Sequence, residues 1–344
     1  MKNLSELDHK EKPFVEILIV SYNGIHYIGK CIASLKMLHY PKGYYKITVI
    51  DNASQDDTVA FIKANYPLVS IIENKENSGF GKANNKGIEN TAAQTKYIAL
   101  LNQDSLVDAH WLEELVKTME THPDAGACGA TEKDYALYER ALQREKHSKE
   151  KECIWMGCGS IIFRKKALEE VQREGYFFDP FYFMYAEDID MTWRLKIAGW
   201  KILHNFNAFW FHDGRNRPLT YNNRRLLWAW RNRIYLLFKF GSFGQIQKSL
   251  RCYSSMLLWK KSRTNTMQWQ KKKEIPPTTK SNRLVYILLK ILFVLQLIVS
   301  ITITMPKALI ARTRLRKHYS IKQKEVDGWV EYIDTLFHGN EECE

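Results

Sequence analysis

Four short apolar runs, each closing on a polar turn and followed by a helical pattern, constrain this chain more than any other feature. Val15-Glu16-Ile17-Leu18-Ile19-Val20 has the β-branched character of a strand and stops at Ser21-Tyr22-Asn23-Gly24. Residues 25–37 then place Ile28, Cys31, Ile32 and Leu35 on one helical face. The unit recurs. A strand over 47–50 ends at Asp51-Asn52-Ala53-Ser54, before a helix over 56–65. A strand over 69–72 precedes the loop Asn77-Ser78-Gly79-Phe80-Gly81 and a helix over 82–91. A strand over 97–101 ends at Asn102-Gln103-Asp104, with a helix over 111–121 beyond it. Such alternation, with strands apolar throughout, predicts an α/β fold whose parallel sheet is covered on both faces. Ligands of such sheets bind outside the carboxyl ends of the strands. Ser21, Asn23, Asp51, Asn52, Asn102 and Asp104 all fall there. Each alone is an ordinary turn residue; their recurrence points to a shared crevice. Gly79 and Gly81 lack the dinucleotide-binding spacing, and no GxxxxGK[ST] occurs, so a Rossmann dehydrogenase and a P-loop enzyme are excluded by motif.

A second concentration of chemistry runs from residue 176 to 200. An aromatic, turn-prone stretch leads into Glu187, Asp188 and Asp190, and Met191, Leu195 and Ala198 then follow at helical spacing, with Gly199 able to end the helix. Acids at a helix start are favoured by the free N–H groups there. Asp190 and Arg194 are four apart and can pair. That leaves Glu187 and Asp188 at the mouth of the helix beside an aromatic wall, where a carboxylate is a candidate general base. A well-capped helix over an aromatic core accounts for the same residues equally well. Upstream, Trp155-Met156-Gly157-Cys158-Gly159-Ser160 reads as a tight turn entering a strand, and 134–151 as a charged, mobile surface segment.

The net charge of +13 calls for an anionic partner, be it nucleic acid, nucleotide or acidic membrane. Six scattered cysteines with no CxxC pair argue against a disulfide framework or a zinc site. The polar N-terminus carries no apolar signal core, which predicts a cytosolic setting. Residues 215–240 interleave arginine with aromatic and leucine side chains, a pattern suited to nucleic acid or to a helix on a membrane surface. Residues 284–305 are almost wholly apolar and long enough to cross a bilayer. Both flanks are basic, however, which disfavours a simple single pass. Lys290, Gln296, Ser300 and Thr304 share one stripe, which suits a helix lying in the interface or re-entering it. A buried core helix is the alternative.

ILIVSYNG, VIDNASQDDT, ENSGFGKANNKGI, ALLNQDS and FMYAEDIDMTWRLKIAGW, in that order, resemble the inverting family-two glycosyltransferases of the GT-A fold. The resemblance covers about residues 14–215 and looks nearest to the rhamnosyltransferase-like and galactofuranosyltransferase-like branch. It implies a Rossmann-like, mostly parallel sheet between helices over 14–222. A polar segment 1–13 would precede this domain, and a helical, basic, membrane-associated region would follow it over 223–344. Ser21, Tyr22, Asn23, Asp51, Lys82, Asn84, Asn102 and Gln103 then match the nucleotide-binding positions. Asp104 and His212 match metal ligands for Mg²⁺ or Mn²⁺, although Asn102 replaces the first acid of the family's DxD. Asp188 matches the catalytic base, and Trp155 and Glu187 lie on the acceptor side. The implied reaction transfers rhamnose or a similar hexose from a dTDP- or UDP-linked donor to a lipid-linked or polysaccharide acceptor. It would serve cell-surface glycan synthesis, peripherally or monotopically at the inner face of the membrane and without nucleic acid. The competing expectation is a non-catalytic protein that keeps the sheet and binds lipid or nucleic acid through its basic tail.

Overall fold

The computed structural model describes residues 12–133, 150–172, 176–213, 223–259 and 280–338. The expected N-terminal segment up to residue 11 and the charged stretch 134–149 lie outside the described residues. The chain divides into two compact units, residues 1–217 and 218–344.

The first unit opens with the alternation expected from sequence. It runs β1 (Phe14–Ser21), α1 (Ile28–Lys36), β2 (Tyr45–Asp51), α2 (Thr58–Asn65), β3 (Ser70–Glu73), α3 (Phe80–Glu89) and β4 (Thr95–Leu101). These strands pair in parallel, β3 on β2, β2 on β1 and β1 on β4. Chain order therefore reverses at β1, and a crevice opens at the carboxyl ends of β1 and β4. Alternation along β1 explains its unbroken apolar run. Ile17 and Ile19 enter one core with Ile32 and Leu35 of α1, while Leu18 enters the opposite core with Ile88 of α3.

Beyond β4 the sheet becomes mixed. β5 (Ser105–Val107), α4 (Trp111–Thr121), β6 (Ala125–Lys133), β7 (Glu150–Glu152), β8 (Ser160–Arg164), α5 (Lys165–Val171), α6 (Glu187–Ile197) and β9 (Lys201–His212) follow. The sheet order is β3-β2-β1-β4-β8-β6-β9-β5, with β7 also on β9. β8 is antiparallel to both β4 and β6, and β6 is parallel to β9. β6 and β9 carry little strand signal in sequence, for physical reasons. β6 is rich in small residues because a Cβ at Gly126 would sit 2.8 Å from Trp200, and one at Gly129 2.2 Å from Met156. β9 bulges at Asn205, whose amide oxygen accepts from the N–H groups of Asn207 (2.6 Å) and Ala208 (2.9 Å), and the bulge breaks the two-residue period. The register of β5 on β9 sets Ser105 opposite His212, which brings the end of β9 back to the turn after β4.

The second unit is helical: α7 (Asn223–Phe240), α8 (Phe243–Trp259), α9 (Lys280–His318) and α10 (Gln323–His338). The interleaved arginine and aromatic stretch proves, in its second half, to be helix core. Ile234, Tyr235, Leu236, Leu237 and Phe240 are buried. Arg233 is buried too, against Asp334 of α10 at 2.5 Å, and Ser249 of α8 donates to the second Asp334 oxygen at 2.5 Å. One carboxylate thus ties three helices. Arg312 of α9 donates to the carbonyls of Phe238 and Gly241 at the end of α7.

Candidate active site

The turns at the carboxyl ends of β1, β2 and β4 are locked to one another by side chains. Ser21 Oγ donates to Gln103 Oε1 at 2.7 Å, the Tyr22 N–H donates to the same oxygen at 3.0 Å, and Gln103 Nε2 returns a bond to the Tyr22 carbonyl at 3.2 Å. Gln103, expected from sequence to meet the nucleotide, braces the switch point. Gly24 permits the brace, since a Cβ there would lie 2.2 Å from Gln103 Oε1. Asn23 adopts a positive φ of 49° and pins the β2 turn, its N–H donating to Ser54 Oγ (2.9 Å) and its Oδ1 accepting from the Gln55 N–H (2.8 Å). Asp51 is 3% exposed. Its Oδ2 accepts from the Ser54 N–H at 3.0 Å, whereas its Oδ1 has no hydrogen-bond partner among the described residues. A buried carboxylate oxygen without a donor costs free energy unless a ligand supplies one.

Asn52, one of the strand-end polar residues expected at the crevice, organises the neighbouring loop. Its Oδ1 accepts from Asn74 Nδ2, the Ser78 N–H and Ser78 Oγ, and its Nδ2 donates to Asn77 Oδ1 at 2.8 Å. The loop ends at Gly79, with φ +84° and a Cβ position only 2.3 Å from the Phe183 carbonyl oxygen, so only glycine fits. That carbonyl accepts from the Phe80 N–H at 2.9 Å and caps α3. Lys82 is exposed on the first turn of α3. Asn84 is buried and donates to the Phe80 carbonyl of its own helix at 3.0 Å.

Asp104 and His212, far apart in sequence, meet through the β5–β9 register, with His212 Nε2 3.2 Å from Asp104 Oδ1. His212 Nδ1 faces Glu132 Oε1 of β6 at 3.7 Å. Burial alone would lower the histidine pKa. Hydrogen bonds and charge from Asp104 and Glu132 outweigh it and raise the pKa to about 9. Asn102 lies alongside, its N–H donating to the Gly159 carbonyl at 3.0 Å. No group of three or more histidine, cysteine or acidic side chains poised to hold a metal occurs among the described residues. The Asp104–His212 pair still suits a divalent ion. Two donors bound about 2.1 Å from a metal at right angles lie about 3 Å apart, and Mg²⁺-type ions commonly take only one or two protein ligands beside substrate phosphates.

At the mouth of α6 the backbone is strained, with Tyr185 (φ 75°) and Ala186 (φ 69°) both left-handed and neither glycine. The two adjacent acids of the first turn of α6 point different ways, as consecutive helical residues do. Asp188 Oδ1 accepts from the Ile189 N–H at 2.8 Å, while its Oδ2 turns to the turn 155–159, 3.7 Å from where a Cβ on Gly157 would lie. Trp155 approaches that same position to 3.9 Å, so the sequence-predicted Trp155 and Asp188 do converge. Glu187 is 8% exposed, and its Oε2 has no hydrogen-bond partner among the described residues. Burial, and then the charge of Asp188, push the Glu187 carboxyl up to about 8. Burial also raises Asp188, to about 6, against the opposing pull of backbone N–H groups. Asp190 differs in kind. It is fully buried and paired with Arg194 at 2.8 Å, as the four-residue spacing predicted, and Arg194 also reaches the carbonyls of Val171 and Phe177. Glu132 had no sequence signal, because only the β6–β9 pairing brings it to His212.

A cavity of about 1030 Å³, lined by Lys12, Tyr40, Lys96, Glu113, Lys117 and Glu120, opens at the amino ends of β1 and β4, away from all of these side chains. The candidate residues gather instead at the carboxyl-end crevice. The description Glycosyl transferase family 2 matches residues 16–193, just over half of the chain. The chain belongs to glycosyl transferase family 2. Among the relatives of this family 2 glycosyltransferase is Glycosyltransferase AglE of Haloferax volcanii, 27% identical over 219 residues, which cover 59% of the chain and 68% of AglE. Another is the N-acetylglucosaminyl-diphospho-decaprenol L-rhamnosyltransferase of Mycobacterium tuberculosis H37Rv, 22% identical over 223 residues, 54% of the chain and 71% of the relative. The fold is similar to that of GalNAc-T7 solved with UDP, GalNAc and Mn²⁺, with a TM-score of 0.57 at 15% identity over 72% of the chain. The chain spans about half (52%) of that GalNAc-T7 chain. The matched family segment ends before β9, so His212 lies outside it.

Proposed function

We propose that the chain is an inverting, divalent-cation-dependent hexosyltransferase. It takes a sugar such as rhamnose from a UDP- or dTDP-linked donor and passes it to a lipid-linked or polysaccharide acceptor at the cytoplasmic face of a membrane. The observation that carries this reading is the pair of adjacent carboxyls at the mouth of α6, with Asp188 Oδ1 anchored on the Ile189 N–H, its Oδ2 turned to the 155–159 turn, and Glu187 Oε2 left without a hydrogen-bond partner among the described residues. Burial raises both carboxyls, and the charge of Asp188 raises Glu187 further, a setting suited to a base beside a neutral donor.

The residues divide the work as follows. The unpartnered Oδ1 of Asp51 offers an acceptor to an N–H of the nucleobase or a ribose hydroxyl. Ser21, Tyr22 and Asn23 shape the turn beneath it, Gln103 holds that turn, and Asn84 fixes the helix carrying Lys82, whose ammonium is exposed. Asp104 and His212 are the side chains that would hold Mg²⁺ or Mn²⁺, with Asn102 beside them. When bound, such an ion neutralises the charge that develops on the departing diphosphate. Asp188 Oδ2 takes the proton of the acceptor hydroxyl while its Oδ1 stays anchored on Ile189 N–H. The new bond joins the acceptor oxygen to the anomeric carbon as the bond from that carbon to the diphosphate oxygen breaks. The nucleoside diphosphate leaves from the opposite face, which inverts the centre. Glu187 donates a hydrogen bond to the acceptor from its free Oε2 side, and Trp155 offers a stacking face to a sugar.

Support for the donor comes from the UDP bound by GalNAc-T7, and for the acceptor from the decaprenol-linked substrate named for the mycobacterial relative. The test is nucleotide release and sugar transfer across a set of nucleotide sugars, with Mn²⁺ or with EDTA. Metal-dependent turnover that collapses in Asp188→Asn is expected. A chain that binds UDP but never turns over any donor would return the non-catalytic reading.

A further inference from the structure

The stretch of α9 apolar enough to cross a membrane runs Val294–His318, yet its two faces are used differently. Leu297, Thr304, Ala308 and Leu315 are buried, and at 100° per residue they fall on one side of the helix. On the opposite side Leu295, Ile298, Val299, Ile303 and Ile310 are each at least half exposed, with Leu309 at 41%. Soluble proteins rarely expose so continuous an aliphatic stripe unless it meets a partner. Of the polar residues noted in the sequence, Thr304 is buried, its hydroxyl bonded to the Ser300 carbonyl at 2.8 Å, while Ser300 is half-buried and Gln296 exposed; the Lys290 side chain lies outside the described residues.

Three observations indicate what covers the exposed stripe. First, none of the 39 residues of α9 is acidic and eight are lysine or arginine, with Arg314, Arg316 and Lys317 exposed just past the stripe. That charge complements an anionic surface. Second, the hydroxyls on the exposed side are satisfied within the helix, Thr302 Oγ1 on the Ile298 carbonyl and Thr313 Oγ1 on the Leu309 carbonyl, both at 2.9 Å. Their removal from water therefore costs little. Third, α9 is held to α7 through Arg312, and α7 carries the buried Arg233–Asp334 pair. A crossing helix would drag those charges into hydrocarbon or tear the bundle apart.

We propose that α9 lies in the plane of an anionic bilayer surface rather than across it. The exposed side chains of 295–310 sink to the acyl boundary, and the basic end of the helix rests among the headgroups. This deepens the membrane placement proposed above, but the geometry behind it is independent of the chemistry in the first unit.

Flotation of the full chain with phosphatidylcholine vesicles, with and without phosphatidylglycerol, tests the proposal. Binding should need the anionic lipid at low salt and leave a salt-resistant remainder. Ile298→Ser with Ile303→Ser should weaken partitioning by at least about tenfold, since two exposed aliphatic side chains lose their burial, while thermal unfolding stays unchanged. Arg316→Gln should cost about fivefold, at low salt only. UDP binding should match wild type in all these variants, so a failure here is separable from a failure of the glycosyltransferase reading. Wild-type vesicle binding by the double serine variant would overturn the proposal. So would a shift from dimer to monomer in that variant without any lipid effect, which would assign the stripe to a second copy. Protease added outside sealed reconstituted vesicles should remove tags at both termini. A protected C-terminal tag would mean that α9 crosses.

Discussion

Replacing Asp188 with asparagine keeps the side chain's size and its bond from the Ile189 N–H, and removes one half-buried charge. The structure predicts opposite effects on rate and on stability. A positioned base contributes about 10²- to 10⁴-fold, so transfer at saturating substrates should fall by that factor with UDP affinity little changed. Stability should rise. Burial lifts the carboxyl from its ordinary 3.8 to about 6, so the charged form is disfavoured in the folded protein and a gain in stability is expected. Its pH dependence follows from the sign. A carboxyl raised in the folded state binds its proton more tightly there than when unfolded, so wild type loses stability as pH climbs from about 4 through 6. The asparagine variant has no such loss. The two proteins should therefore unfold alike near pH 4 and part above pH 6. Asp190→Asn is the counterpart. Its carboxylate is fully buried against Arg194, which is 3% exposed. Breaking such a pair costs about 3–5 kcal/mol, reduced here to about 2–3 because the guanidinium keeps two carbonyl partners. Urea unfolding at pH 4, 6 and 8, beside transfer rates for both variants, measures everything required. Near-normal turnover in Asp188→Asn together with an unstable Asp188→Asn protein would refute the reasoning, and collapse of turnover in a stable Asp190→Asn would move the base to residue 190.

Glu187→Gln mimics the protonated acid, so its rate should stay within a few-fold of wild type near pH 7 and persist above pH 8, where wild type, losing that proton, declines; a pH–rate profile decides. Asp104→Ala should abolish the Mn²⁺-dependent part of UDP binding and His212→Ala should weaken it less, since a neutral ligand rather than a charge is lost; calorimetry with Mn²⁺ or EDTA reads both, and unchanged binding in Asp104→Ala would remove the cation from this site. Gly24→Ala should displace the Gln103 amide and cost about 1–3 kcal/mol along with UDP affinity, and adding Gln103→Ala should cost little more, because both changes break one brace; additive losses in a double-mutant cycle would show the two to be independent.

The sequence and the structure part company in identifiable places. Residues 215–240 looked like a surface for lipid or nucleic acid because arginine alternates with aromatics. In the bundle Arg233 finds Asp334 about a hundred residues on, and Tyr235 and Phe240 become core, while Trp228, Trp230 and Phe238 are half-buried. Gln103 looked like a nucleotide contact, and the structure gives its amide a further task, since its oxygen and one of its N–H groups bond the β1 turn. Asn84 sits in a matched motif, yet its amide serves its own helix. Polar residues at strand ends are easily read as ligand contacts, and a one-dimensional pattern does not say which of them another side chain has already claimed.

By itself the sequence determined the parallel half of the sheet, the placing of polar residues at its carboxyl edge, and the Asp190–Arg194 pair, because strand alternation and helix periodicity are local properties of the chain. The tertiary structure alone decided the rest. His212 reaches Asp104 through the register of β5 on β9, and Glu132 reaches His212 through the pairing of β6 with β9. The adjacent Glu187 and Asp188 both have their carboxyl pKa raised by burial at the mouth of α6. One face of α9 is buried and the other left bare because α7 covers a single side. Strand register, desolvation and coverage all depend on residues distant in the chain, and none of them leaves a mark on local periodicity.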